Sequence, residues 1–101
     1  MNTEAIGCVK AATKILGDKW TPQLLRFFLN ESSVRFCQIQ DLVEGINPRT
    51  LSARLDFLEQ EGVIAKIIPE DTTRCEYVLT EKGRSLAPIV RDMYSWSEQH
   101  A

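Results

Sequence analysis

The stretch Ile46-Asn47-Pro48-Arg49-Thr50-Leu51-Ser52-Ala53-Arg54-Leu55-Asp56-Phe57-Leu58-Glu59-Gln60-Glu61-Gly62 decides how the chain folds. Asn47 is a helix-capping residue, and Pro48 follows it at the first helical position, where a missing N–H costs nothing. Leu51, Leu55 and Leu58 then fall at i, i+4 and i+7 before Gly62 stops the run. This predicts a helix from Pro48 to Gln60 held by one buried stripe. Upstream, Phe36, Ile39, Leu42 and Val43 repeat at helical spacing as far as Glu44-Gly45, a second short helix joined to the first by the tight Gly45-Ile46-Asn47 turn. Downstream, the β-rich runs Val63–Ile68 and Arg74–Leu79 flank the turn-prone loop Pro69-Glu70-Asp71-Thr72-Thr73, which reads as a hairpin. Cys75, Tyr77 and Leu79 alternate with Arg74, Glu76 and Val78, giving that strand one apolar face. Two short helices across a tight turn, followed at once by a hairpin, make a helix-turn-helix with a wing.

The flanks complete a mainly α architecture with a small β-hairpin wing. Ala5, Ile6, Val9, Ala12, Ile15 and Leu16 recur at spacings of three and four, predicting a first helix over Thr3 to Leu16 that stops at Gly17. Thr21-Pro22 repeats the cap-then-proline device and opens a helix to about Asn30 on Leu24, Leu25, Phe28 and Leu29. Val34-Arg35-Phe36 is a short extended candidate. After the hairpin, Thr80 caps a last helix to about Gln99, with Leu86, Ile89, Val90, Met93, Tyr94 and Trp96 on its apolar face and a kink expected at Pro88.

Length and composition bound what such a chain does. The 101 residues, 44% hydrophobic, fit one domain spanning 1–101, able to bury roughly 60–65% of its unfolded surface. No apolar run approaches the roughly 20 residues of a bilayer span, and the N-terminus lacks a signal-peptide pattern, so the expected location is cytoplasmic with no membrane partner. Three cysteines without C-x-x-C spacing and a single His exclude a disulfide framework and make a structural metal improbable; no metal and no cofactor is expected. With no glycine-rich phosphate loop and no nucleophile motif, an enzyme is the least supported class. The formal net charge of −2 argues against coating nucleic acid by bulk charge. The imbalance is local: residues 1–50 hold six basic and five acidic side chains, residues 51–101 six and nine.

The Pro48–Gln60 helix fits the major groove, about 12 Å wide, which admits one helix held from behind. Its early free face offers Arg49, Thr50, Ser52, Ala53 and Arg54, with Asn47 at the cap. Asp56, Glu59 and Glu61 repel phosphate, so only the first two turns enter, where the helix dipole also favours phosphate. A solvated helix face is the competing reading, and Arg54 in particular has the option of turning toward Glu61 or the preceding helix. Arg35 and Gln38, at the start of the preceding helix, and Lys66, Thr72, Thr73 and Arg74, on the wing, are further phosphate-contact candidates, opposed at the wing tip by Glu70 and Asp71.

Taken together, these residues resemble the HxlR-type family of bacterial winged-helix transcription regulators, relatives of the MarR-like repressors. The resemblance spans nearly the whole chain: Gly17-Asp18-Lys19-Trp20-Thr21, Arg35-Phe36, Ile46 to Ser52 with Arg54-Leu55, Leu58 to Ile64, Glu76 to Thr80 with Gly83, and Leu86-Ala87-Pro88 with Trp96. Two departures stand out, Asp18 where the family typically has a second glycine and Val9 where proline commonly follows the N-terminal cysteine. The resemblance implies a homodimer on a two-fold related, double-stranded DNA operator, a repressor role, and an interface built by the first and last helices. Ile6, Val9, Ile15, Ile89, Met93, Tyr94 and Trp96 are the interface candidates, with intramolecular core as the alternative for each. It also implies an oxidant or small-molecule effector sensed at Cys8, against which stands a buried, inert thiol. Cys37, near a helix start, ranks second, and Cys75 reads as core. A different class of function, a winged-helix protein-interaction module without DNA binding, is motivated by the acidic balance and the wing-tip acids.

Overall fold

A computed structural model describes the backbone of residues 3–70 and 75–101, and the side chains among these from Val9 onward. The elements run α1 (Thr3–Leu16), α2 (Thr21–Asn30), β1 (Val34–Arg35), α3 (Phe36–Leu42), α4 (Pro48–Gln60), β2 (Ile64–Ile67), β3 (Glu76–Leu79), α5 (Glu81–Arg84) and α6 (Ala87–His100). This is the winged helix-turn-helix that the sequence predicts, with α3 and α4 as the helix pair and β2–β3 as the wing.

Local chemistry sets most boundaries. Asn47 caps α4, its Oδ1 accepting from the Thr50 N–H at 2.8 Å, and Pro48 stands in the first turn. Gly45 and Gly62, at the two ends of the α4 region, have φ of 86° and 76°, backbone that a Cβ would strain. Leu51, Leu55 and Leu58 of α4 are buried against Leu24, Leu25 and Phe28 of α2, Ile39 and Val43 from the α3 segment, and Val63-Ile64 at the wing's root. Each leucine withdrawn from water contributes roughly 1.5–3 kcal/mol. Ile15 joins the same core, as do Tyr77 and Leu79 on the inner face of β3, whereas Cys75 is only half-buried.

Four expectations are corrected. The wing is more than a hairpin: β1 pairs antiparallel with β3, Val34 opposite Tyr77 and Arg35 opposite Glu76, so the sheet order is β1-β3-β2. A two-residue strand is stable there because the chain returns to cover it, and Ser33 Oγ also donates to Glu76 Oε1 at 2.8 Å. Thr21 is not the cap of α2 but its first residue; the Asp18 carboxylate caps from outside, accepting from the Thr21 N–H and hydroxyl, both at 3.0 Å. The last helix is two helices instead of one kinked rod. Thr80 caps α5, its Oγ1 accepting from the Gly83 N–H, and Gly83 packs so tightly under Val63 that a Cβ would collide with the Val63 carbonyl. The chain turns at Ser85-Leu86, and Pro88 sits in the first turn of α6, where its missing donor breaks no helical bond. Finally, Ile15 is buried in its own chain, which takes it off the surface open to a partner.

Candidate nucleic-acid interface

On a helix, successive side chains turn by about 100°. With Leu51, Leu55 and Leu58 facing the core, Arg49, Ala53 and Asp56 point the opposite way, Ser52 lies on one flank, and Thr50, Arg54 and Phe57 lie on the other. Exposure follows this geometry: Arg49, Ser52 and Ala53 are exposed, whereas Thr50, Arg54 and Phe57 are partly covered. The outward face of the first two turns therefore carries one guanidinium between two small side chains, and the third turn adds the Asp56 carboxylate. Arg49 takes part in no ion pair among the described residues.

Arg54 is engaged within the chain. Its Nη1 lies 3.4 Å from Asp18 Oδ2, and its guanidinium stands 5.0 Å from the Phe57 ring centre. Neither Glu61 nor α3, the alternatives open at the sequence level, receives it. Glu61 instead meets Lys14 of α1 at 3.4 Å. The residue that sequence reasoning missed is Asp18. The only local signal was a carboxylate three positions before Thr21-Pro22, the spacing of a cap.

The remaining candidates spread around this helix. Gln38 Oε1 accepts from the Arg35 backbone N–H at 2.8 Å, closing the start of α3 and leaving the Gln38 amide N–H groups and the Arg35 guanidinium to act outward. Lys66 projects from β2 with its ammonium 5.9 Å from the Tyr77 ring, its register partner on β3. Burial pushes the Tyr77 phenol above its ordinary pKa, with the Lys66 charge pulling the other way. Thr72, Thr73 and Arg74 lie outside the described residues, as do the side chains of Ile6 and Cys8. Cys37 is exposed on α3. Among the described residues no group of three or more His, Cys, Asp or Glu side chains is placed to hold a metal ion, and no helix is long and apolar enough to cross a membrane.

The other interface candidates cluster on α1 and α6. Val9 is 65% exposed, and Ile89, Met93 and Trp96 expose 42%, 41% and 63% along one side of α6. Tyr94, on a neighbouring side, lies under the Arg26 guanidinium at 3.8 Å.

Comparison with known proteins agrees with this architecture. Residues 15–101 match the family model described as HxlR-like helix-turn-helix. The chain is 40% identical over 89 residues to the HTH-type transcriptional regulator YvaP of Bacillus subtilis (strain 168), covering 87% of this chain and 82% of that protein. Among solved structures, the redox regulator HypR in its oxidized form superposes with a TM-score of 0.86 at 30% identity, covering 92% of this chain and 96% of HypR. The reduced form of the transcriptional regulator YodB from B. subtilis gives 0.80 at 26%, covering 100% of this chain and 95% of YodB.

Proposed function

Because the chain belongs to the HxlR-like helix-turn-helix family of transcriptional regulators, we propose that it is a sequence-specific DNA-binding repressor, acting in the cytoplasm as a homodimer on a two-fold related operator. The observation that carries this reading is the division of α4: three leucines locked into the core, and an outward face whose first two turns present only Arg49, Ser52 and Ala53. Arg49 is the base- or phosphate-contacting cation, Thr50 and Asn47 flank it at the positive end of the helix dipole, and Arg35, Gln38 and Lys66 meet phosphates on either side. Thr72, Thr73 and Arg74 extend that contact along the wing. Acids at the far end of α4 confine the contact to its beginning.

The dimer is supported by the exposed apolar side chains of α6 and by Val9 on α1, since isolated domains seldom leave a continuous stripe of this kind open to water. Oxidant or electrophile response at Cys8 is supported by two similar proteins, HypR, a redox regulator, and YodB, which has a quinone-bound crystal structure.

The test is a binding titration on duplex DNA from the gene's own upstream region, at several salt concentrations. Wild-type affinity falls steeply with salt as phosphate-bound counterions are released. Arg49→Ala weakens binding by about 1–3 kcal/mol, and if its contact is to phosphate the salt slope drops by about one. A flat salt response would favour the protein-interaction module over the repressor.

A further inference from the structure

The turn between α1 and α2 touches the helix-turn-helix at separate points. Asp18 is held by two hydrogen bonds from Thr21, which is itself fully buried, so its carboxylate is fixed in direction. That fixed carboxylate receives Arg54 from the middle of α4. Two residues on, the rim of the Trp20 indole reaches the α3–α4 turn, 3.9 Å from where a Cβ on Gly45 would stand. Four residues earlier, Lys14 meets Glu61 just past the other end of α4, an exposed and weaker pair. The α1–α2 turn thereby meets the middle of α4 through the Asp18–Arg54 pair and lies, at Trp20, beside the turn that precedes α4, while Lys14 of α1 reaches Glu61 past its end.

We infer that Asp18 is a positioning residue that sets the distance and angle of the reader helix relative to α1, and so the half-site spacing that the dimer accepts. The inference rests on the repressor reading above. In a dimer joined through α1 and α6, the path from one reader helix to the other runs from α4 through the Asp18–Arg54 pair into the α1–α2 turn, where Asp18 is hydrogen-bonded to Thr21 at the start of α2, and from there along α1 across the interface. Shifting one half-site by a base pair moves it about 3.4 Å along the duplex and turns it by about 34°. A braced reader does not follow that displacement, whereas a reader released from Asp18 tilts by a small angle about its buried leucine stripe. Asp18 touches no base in this arrangement; it acts through Arg54.

The experiment measures binding to the operator and to two copies with one base pair added or removed at the centre of symmetry, and follows thermal unfolding of each variant. Wild type is expected to lose about tenfold or more on either altered spacing. Asp18→Asn keeps an oxygen for the Thr21 N–H but drops the charge that holds Arg54. It is expected to bind the operator several-fold more weakly while its spacing penalty shrinks to about threefold or less. Arg54→Gln, which leaves the Thr21 cap intact, is expected to shrink the penalty equally, and the double variant no further, because the two residues act as one unit. Equal weakening on all three duplexes, the mark of a merely structural role, overturns the inference, as does a full wild-type penalty in either single variant. A wild type that binds all three duplexes equally overturns the repressor reading and this inference with it. A wild type that discriminates while Asp18→Asn does so equally well overturns this inference alone.

Discussion

Arg49 and Arg54 stand five residues apart on one helix and look interchangeable in the sequence, yet the fold gives them different work. Arg49, opposite the leucine stripe, is left open to a partner. Arg54, on the flank, is enclosed by a carboxylate and an aromatic ring. What separates them is helical angle, which is legible, combined with what lies beside each flank, which is not: Asp18 is 36 residues away along the chain. The cysteines divide in a similar way. Cys37, on α3, is exposed and Cys75, just before β3, is half-buried, and neither lies on the helix for which the resemblance implies a sensor. If Cys8 is that sensor, its thiolate adds to a ring C=C of a quinone, forming a C–S bond as that π bond is consumed and the ring, taking up a proton, passes to the hydroquinone level. Operator affinity of the wild type is then expected to change on treatment with a quinone, while Cys8→Ser stays constant. Identical responses of the two proteins in a gel-shift series would dismiss Cys8.

At the scale of elements, the helices that declare themselves are those with chemical punctuation at both ends. Helix α4 begins at Asn47-Pro48 and ends at Gly62, and its observed limits match the predicted Pro48 to Gln60. The cap stabilises it measurably: Asn47→Ala removes the acceptor for the Thr50 N–H and is expected to cost about 1 kcal/mol in urea unfolding, with Asn47→Gly losing only a few tenths. Run without DNA, that measurement separates capping from any contact Asn47 makes with an operator. The segment after the wing was harder to read because its apolar periodicity continues through the break. Leu86, Ile89 and Val90 keep a helical phase, so in the sequence Pro88 reads as a kink. The interruption falls at Ser85-Leu86, just past Gly83, which packs against the Val63 carbonyl at the root of the wing, an approach that only the assembled fold reveals. Strand β1 was similarly ambiguous, since two residues acquire strand identity only by pairing with β3.

For the whole molecule, the radius of gyration of 14.6 Å exceeds the about 13 Å expected of a compact 100-residue domain. The excess is consistent with α6, whose residues 91–100 are all exposed. Met93 and Trp96 on that helix remain largely open to water, while His100 packs beside the Trp96 ring at 4.8 Å. If a second copy covers this face, Trp96→Glu buries a charge at the interface. The variant is expected to sediment as a monomer at concentrations where the wild type is a dimer, and to lose about tenfold or more in operator affinity while its thermal unfolding shifts little. A wild type that sediments as a monomer throughout would remove the dimer from the proposal.

Local sequence signals specify the winged helix-turn-helix, its order of elements and the reader helix with its stripe. Those signals are local: a cap reaches three residues, a proline or glycine acts where it stands, and a helical stripe repeats every three or four positions. Tertiary structure alone decided that Arg54 is tied to Asp18, that β1 joins the sheet, that Ile15 serves its own core and that the last helix is broken before Pro88. Each of these depends on residues meeting after the chain has folded back. Those encounters are chosen by the packing of the whole core, which no local stretch of the sequence encodes.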